Sequence, residues 1–297
     1  MSGFLAEVGK KLAERWGTLL ALPGLLFLAV ATAAYHLGWA HPFDVGWLSQ
    51  QITTWATAPG LKSIGGTALI VIAVLSGSVA AGLVAAALGR LLSYGWHLPG
   101  RRPPASWLAR WRRTRSQRAS ERADDPRATP ERVLAEIDKA DRLCLVAADR
   151  PTWIGDRFRA GRLRVERTYG LDLDAVWPRL WLIIPDTTRA EIVAARDAYS
   201  ASARLMGWAV LYLALIVWWW PAGIITLIVG CTAQIKAREA TVTLTDLLEA
   251  TVDLHARELA TRLGQPDTAA TLTVAEGRAI TALTRKSRWA PDSPLAD

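Results

Sequence analysis

Reactive side chains are scarce in this 297-residue sequence, which has two cysteines and four histidines. Cys144 sits in a charged stretch and Cys231 in an apolar run, so a disulfide between them is not expected, and neither has the spacing of a zinc site. His36, His41, His97 and His255 fall in separate segments, so no metal set follows. His255 and Glu258 share one helix face, a common pairing that does not define a site. The G-x-x-x-x-G-K-[ST] phosphate loop, the G-x-S-x-G nucleophile elbow and the H-E-x-x-H zinc motif are all missing. Asp172 and Asp174 form a D-x-D pair that turn formation and helix capping explain. Together these absences point to a protein without a catalytic site, a metal or a cofactor.

Charge is missing in three long stretches. Residues 16–43, 63–89 and 205–235 contain no Asp, Glu, Lys or Arg. A bilayer core takes about 20 apolar residues per helix, so each stretch is long enough to cross at least once. The first is longer than the roughly 7–15 apolar residues of a secretory signal and lacks a clear cleavage site, so it reads as a retained helix. No carboxylate lies inside the apolar runs either, whereas ion-coupled transporters hold ionisable groups at membrane depth. Their polar groups are mainly the hydroxyls of Thr32, Thr67, Ser76, Ser78, Thr226 and Thr232. Proton- or sodium-coupled transport is therefore disfavoured, while a passive pore stays open.

Tryptophan and arginine are what the chain has in excess. Fifteen tryptophans stand against four phenylalanines, and tryptophan favours the membrane–water interface. A first crossing is expected from about 18 to 38, preceded by Lys10, Lys11 and Arg15, and a second over 64–88, ending at Arg90. Residues 101–118 then carry seven arginines and no acid, among them Arg101, Arg102, Arg110, Arg112, Arg113 and Arg115. Positive residues near helix ends are retained in the cytoplasm. The N-terminus and the chain after residue 96 are thus expected inside, and 39–62, with Trp39, Trp47 and Trp55, outside. Ser78, Gly82 and Ala86 form a small-residue face at four-residue spacing, suited to packing on the first helix or to a homo-oligomer seam.

Trp218, Trp219, Trp220 and Pro221 interrupt the third apolar stretch. A single helix over 205–235 would be about 46 Å long at 1.5 Å per residue, well beyond a core of about 30 Å. It would also bury the tryptophans at mid-membrane. A hairpin instead places them at the outer interface as a turn, with Arg204 and Lys236 at its two inner ends. Its charge-free arms are short, about 13 and 12 residues, so a re-entrant loop remains an alternative.

The cytosolic stretch 97–203 holds 21 Lys/Arg against 15 Asp/Glu. Residues 97–128 read as a basic linker containing a short helix with Trp107 and Trp111. This linker either lies on anionic lipid or acts only as a topogenic charge cluster. Nucleic acid is the weaker reading, since a membrane-proximal arginine run already has an explanation. Thr129 and Pro130 start a helix carrying Val133, Ile137, Ala140 and Cys144 on one face. A second helix is expected over 152–169, with Ile154, Phe158 and Val165 opposite Arg157, Arg159, Arg162 and Arg164 and with Gly170 as its left-handed cap. Residues 174–186 follow, apolar and bounded by prolines, as a short strand or extended segment or a piece docked at the membrane surface. Thr188 and Glu191 make a capping box for a helix that continues into the third crossing. Residues 237–264 form a long amphipathic helix ended by Gly264 and Pro266. The last thirty residues, small and polar apart from a Thr273/Glu276 capping box, read as flexible.

Three strings in this region carry a resemblance. Pro151, Ile154, Gly155 and Asp156 fit P-T-x-I-G-[DN], and Tyr169, Gly170 and Asp172 fit Y-G-L-D. Trp177, Pro178, Arg179 and Trp181 fit W-P-R-L-W-L-x-x-P. The stretch over roughly 150–262 resembles a family of uncharacterised actinobacterial membrane proteins. That resemblance implies a hairpin topology with the motif on the cytosolic side, and no activity.

The expected protein is an all-α integral membrane protein with two transmembrane hairpins and a mainly helical cytosolic module. Its parts are a hairpin (1–96), the basic linker (97–128), a module (129–203), a second or re-entrant hairpin (204–236), an amphipathic helix (237–264) and a tail (265–297). Multi-pass insertion in the cell membrane with both termini cytoplasmic follows. The expected role is a non-enzymatic anchor or scaffold whose arginines face anionic lipid or a cytosolic protein partner. The alternative is an oligomeric pore or membrane-perturbing effector.

Overall fold

The computed structural model describes residues 22–40, 42–56, 63–98, 105–123, 150–265 and 271–286. All regular elements among them are α-helices, with no strand among the described residues. In chain order they are α1 (Leu22–Leu37), α2 (Val45–Ala56), α3 (Ile64–His97), α4 (Ala105–Ala123) and α5 (Trp153–Tyr169). They continue with α6 (Leu173–Ile183), α7 (Asp186–Leu215), α8 (Ala222–Arg262) and α9 (Val274–Arg285). The expected helix over 129–144, the start of the first crossing, and Arg101 and Arg102 lie outside the described residues. The chain divides into two compact units, Met1–Ser93 with Ser200–Ile235 and Tyr94–Tyr199 with Lys236–Asp297.

The first unit is built on close backbone approach. The apolar helix containing Gly65–His97 is long and apolar enough to cross a membrane, and Leu22–Leu37 is a shorter apolar helix. Ser63 opens α3 by accepting the Gly66 N–H at 3.0 Å. Ser78 and Gly82 are buried on α3. A Cβ on Gly24 of α1 would run into the Ser78 carbonyl, so α1 packs closely on α3 at Ser78. A second small pair was not anticipated from the sequence: a Cβ on Gly207 of α7 would meet the Ala85 carbonyl, and one on Gly89 the Ala203 carbonyl. Two reciprocal glycines thus let α3 and α7 touch backbone to backbone. Away from these seams Leu69, Ile72, Leu75, Leu83 and Leu91 of α3 are exposed.

At one end of this unit the Trp–Pro stretch is a turn, not the middle of a helix. α7 stops at Leu215 and α8 starts at Ala222. The Trp218 and Trp219 N–H groups bond to the Leu215 carbonyl, and the Ile224 N–H to that of Pro221. Pro221 therefore sits just before the new helix, where its missing N–H costs nothing. The α1–α2 connection meets this turn: Trp39 Nε1 donates to the Val217 carbonyl and Trp219 Nε1 to that of Pro42, both at 3.0 Å. Phe43 and Trp220 stack edge-on at 5.8 Å. The segment 39–62, expected on the outer side between the first two crossings, holds the helix α2, which Asp44 caps by accepting the Trp47 N–H at 2.9 Å.

The second unit has a conventional apolar core. Val165, Leu173, Val176, Leu180, Ile184, Val252, Leu259 and Ile280 form one buried cluster from α5, α6, α8 and α9. Residues 174–186 were expected to be strand, extended or surface-docked, yet 173–183 is a helix. Leu173, Val176, Leu180 and Ile184 recur at spacings of three and four, a helical stripe that outweighs Pro178 within the helix. Asp172 caps it, accepting from the Asp174 N–H. α7 starts at Asp186, two residues before the expected Thr188 cap, with Arg189 paired to Asp186 at 2.9 Å.

The expected flexible tail also contains structure, because α9 buries Gly277, Ile280 and Thr284. Thr273 and Glu276 close the anticipated capping box around its first turn. Gly170 ends α5 at φ +69°, as its sequence position implied, and a Cβ there would strike the Val274 carbonyl. The glycine thus serves both the helix end and the seat of α9.

Candidate functional site

The residues that carried the family resemblance gather in the second unit, where they chiefly join helix ends. Thr152 caps α5 by accepting the Gly155 N–H at 3.2 Å, and its hydroxyl donates to the Trp96 carbonyl at the end of α3 at 2.9 Å. The Arg150 guanidinium donates to the next orphan carbonyl, that of His97. One threonine and one arginine thus satisfy the negative end of α3 and the positive end of α5. Gly155 is required because a Cβ would collide with the Trp96 carbonyl.

Asp156 is 2% exposed and forms the polar centre of this junction. One carboxylate oxygen accepts from Arg112 of α4 at 2.7 Å, and the other accepts the Arg150 N–H at 3.1 Å. Arg112 also donates to the Arg150 carbonyl at 2.9 Å. Both charges are desolvated, and both are compensated by charge and by hydrogen bonds.

The arginines of α5 have partners within the fold. Arg157 donates to Thr245 and Asp246. Arg164 forks onto both oxygens of Glu249 at 2.9 and 2.6 Å, which holds its guanidinium above its ordinary pKa. Arg162 pairs with Asp174. Acids on α6 and α8 therefore meet a face whose sequence suggested lipid or partner contact. Arg110, Arg113 and Arg115 of α4 are exposed, and Arg159 is half-buried. Arg115 lies over the Trp111 ring at 4.8 Å.

Beside the junction lies a groove of about 740 Å³, whose walls include Trp177, Pro178, Trp181, Val193, Leu244 and Leu248. His97, Phe158, Arg196 and Tyr199 complete it. His97 Nε2 and the Tyr199 hydroxyl share a hydrogen bond at 3.1 Å, while Phe158 packs against both rings. Trp177 and Trp181, one turn apart on α6, have ring centroids 5.9 Å apart. A second cavity of about 340 Å³ shares His97, Phe158 and Leu248 and adds Arg150, Arg162, Asp174 and Glu249. Volumes of this size suit small-molecule or side-chain binding. Chemically the groove can hold an apolar group against two indoles, with one guanidinium at its edge. Sequence reading did not find the His97–Tyr199 pair, whose members lie 102 positions apart.

Pro151 precedes the α5 cap, and Ile154 is fully buried. The Tyr169 hydroxyl donates to Asp253 at 2.8 Å, a bond that raises its pKa. Asp172 pairs with Arg285 of α9, and Arg179 donates to the Ala175 carbonyl within α6. Among the described residues no three His, Cys, Asp or Glu side chains are placed to hold a metal ion. No family model, curated protein or solved structure matches the chain. What the described residues define is a class: an all-α protein with one helix long and apolar enough to span a membrane, divided into two compact units.

Proposed function

We propose that this protein is a non-enzymatic, multi-pass membrane anchor that presents its helical module as a cytoplasmic scaffold. The observation that carries the reading is the joined end of the first unit. There the Trp218–Pro221 turn and the α1–α2 connection exchange indole hydrogen bonds. A shared tryptophan-rich end suits one membrane interface, with α1, α3, α7 and α8 running back from it as two hairpins. The α7 and α8 arms are short, and Arg204 and Lys236 extend them by snorkelling. Both termini then lie on the cytoplasmic side, as the arginine run at 101–118 requires.

The scaffold role rests on the architecture of the module. Its polar contacts, Thr152 to Trp96 and Asp156 to Arg112, fix helix ends, and its groove presents binding surface. Reporter fusions at residue 297 and in the 57–62 connection test the topology. A cytoplasmic signal from the first and an external signal from the second are expected, and an external C-terminus refutes the two-hairpin arrangement. Purified protein in dye-loaded vesicles should leave the dye inside; release at low protein-to-lipid ratio would establish the pore reading instead.

A further inference from the structure

We propose that α4 lies on an anionic lipid surface, with Trp107, Leu108 and Trp111 in the headgroup layer and Arg110, Arg115 and Arg118 on lipid phosphates. This deepens the membrane-anchor reading, on which it rests, by stating which face of the module meets the membrane and which lipid it selects.

The first support is a helix fixed on one side and apolar on the other. Ala109 and Arg112 are buried, 4% and 7% exposed, and Arg112 is held by Asp156. Trp107, Leu108 and Trp111 are 68%, 51% and 56% exposed. Large rings left open on a helix that already has a docked face call for a second medium on that side. Trp107, Trp111, Arg115 and Arg118 fall at i, i+4, i+8 and i+11, so rings and cations share one stripe. Tryptophan with arginine on one helix face is the composition of an interfacial helix.

Charge then selects the lipid. From Ala105 to Ser120 the helix has five arginines and no acid. Arg112 is neutralised by Asp156 and Arg113 is already engaged, which leaves Arg110, Arg115 and Arg118 for phosphate. Arginine is less strongly hydrated than lysine and forks onto phosphate oxygens, so it keeps its bond at the headgroup level. Arg115 above Trp111 holds ring and cation together in the same layer. The chain also brings the lipid near: only residues 98–104 separate the end of the candidate span at His97 from Ala105. Seven extended residues reach less than about 30 Å. A soluble acidic protein would meet the same cations but would have to displace the adjacent bilayer.

The full chain tests this in nanodiscs of phosphatidylcholine alone and of phosphatidylcholine with phosphatidylglycerol. Cys144→Ser and Cys231→Ser clear the background, and single-cysteine variants Leu108→Cys, Leu69→Cys and Leu254→Cys carry an environment-sensitive fluorophore. The Leu108 label should shift to the blue when phosphatidylglycerol is present and lose that shift in concentrated salt. The shift should also disappear in Arg110→Glu/Arg115→Glu/Arg118→Glu. The Leu254 label, on an exposed position of α8, should report water in both discs. The Leu69 label should report hydrocarbon in both. A Leu108 label in water in both discs, or equally blue in both, overturns the proposal while the Leu69 signal leaves the anchor reading intact. A Leu69 label in water overturns the anchor reading and this proposal with it.

Discussion

In the unit formed by Met1–Ser93 and Ser200–Ile235, the tightest helix seams run through glycines; in the other unit, long ion-paired side chains join helices around an apolar core. Gly207 against Ala85 and Gly24 against Ser78 leave no room for a methyl group. Arg164 on Glu249 and Arg112 on Asp156 span several ångströms of side chain to make each contact. On the membrane-anchor proposal, the difference follows from solvent. Lipid tails are as apolar as leucine, so helices gain by close van der Waals fit and not by hiding apolar surface. In water the apolar cluster around Val176 and Leu180 drives association, and charged pairs fix its register.

The largest effect should come from breaking the polar junction. Asp156→Ala leaves Arg112 buried without its counter-charge, at a cost of about 3–5 kcal/mol. Thermal unfolding of purified protein in detergent, followed by circular dichroism, should show a correspondingly lower transition. Arg112→Met/Asp156→Leu, which removes both charges, should recover most of the loss. If the single and double variants unfold alike, the junction is not held by that charge pair.

Next in size is the apolar unit. Gly207→Leu forces its side chain into the Ala85 carbonyl and must separate α3 from α7, costing about 1–3 kcal/mol. The cost should be the same in low and high salt, because no charge takes part. Crosslinking between cysteines introduced at Ala85 and Ala203 reports the separation directly. Unchanged crosslinking would mean that the two helices tolerate a wider spacing than their glycines imply.

The smaller electrostatic effect sharpens the contrast. Glu249→Gln removes the fork from Arg164, but both side chains are partly exposed, so the loss should be only about 0.2–1 kcal/mol. Salt should erase most of the difference between this variant and the parent. A salt-independent loss of several kcal/mol would show that the pair behaves as a buried one.

Local signals made much of this legible in the sequence. Arg204 and Lys236 flank a charge-free stretch too long for one span, and the observed turn falls at Trp218–Pro221 between them. Thr152 and Gly170 bracket α5 because a cap needs only nearby residues. α6 was missed because Pro178 and the apolar run outweighed the three-and-four spacing of Leu173, Val176, Leu180 and Ile184. The Ser78–Gly82–Ala86 face is visible in the sequence, and its neighbour Ala85–Gly89 is not, since only the partner helix shows that Gly207 and Ala203 oppose it. Arg157 and Arg164 were visible as a basic face, but their acids stand some 85–89 positions later on α8. The His97–Tyr199 pair has no local signature at all.

The least effect, and the most local, concerns α9, whose docking is both apolar and ionic. Ile280 enters the core, while Arg257 holds Glu276 at 3.2 Å and Arg285 holds Asp172. The Thr273 N–H and hydroxyl, with Arg257, keep the Glu276 carboxyl below its ordinary pKa. Burial alone would raise that of Asp172, but Arg285 and the Asp174 and Ala175 N–H groups outweigh it and hold it low. A carboxylate depressed in the folded state contributes stability above its unfolded pKa and loses it as the pH falls through the folded value. Acidification below about pH 4, near the ordinary carboxylate value, should therefore loosen α9 while the Ile280 contact persists. Hydrogen-exchange protection of 274–285 should fall there, while the buried Ile280 keeps part of it. Asp172→Asn/Glu276→Gln should show the weaker α9 protection already at neutral pH and little further loss in acid. Equal protection of α9 at pH 7 and pH 3 in the parent would assign its docking to Ile280 and the capping box alone, and the two units would then differ less in their use of charge than their ion pairs suggest.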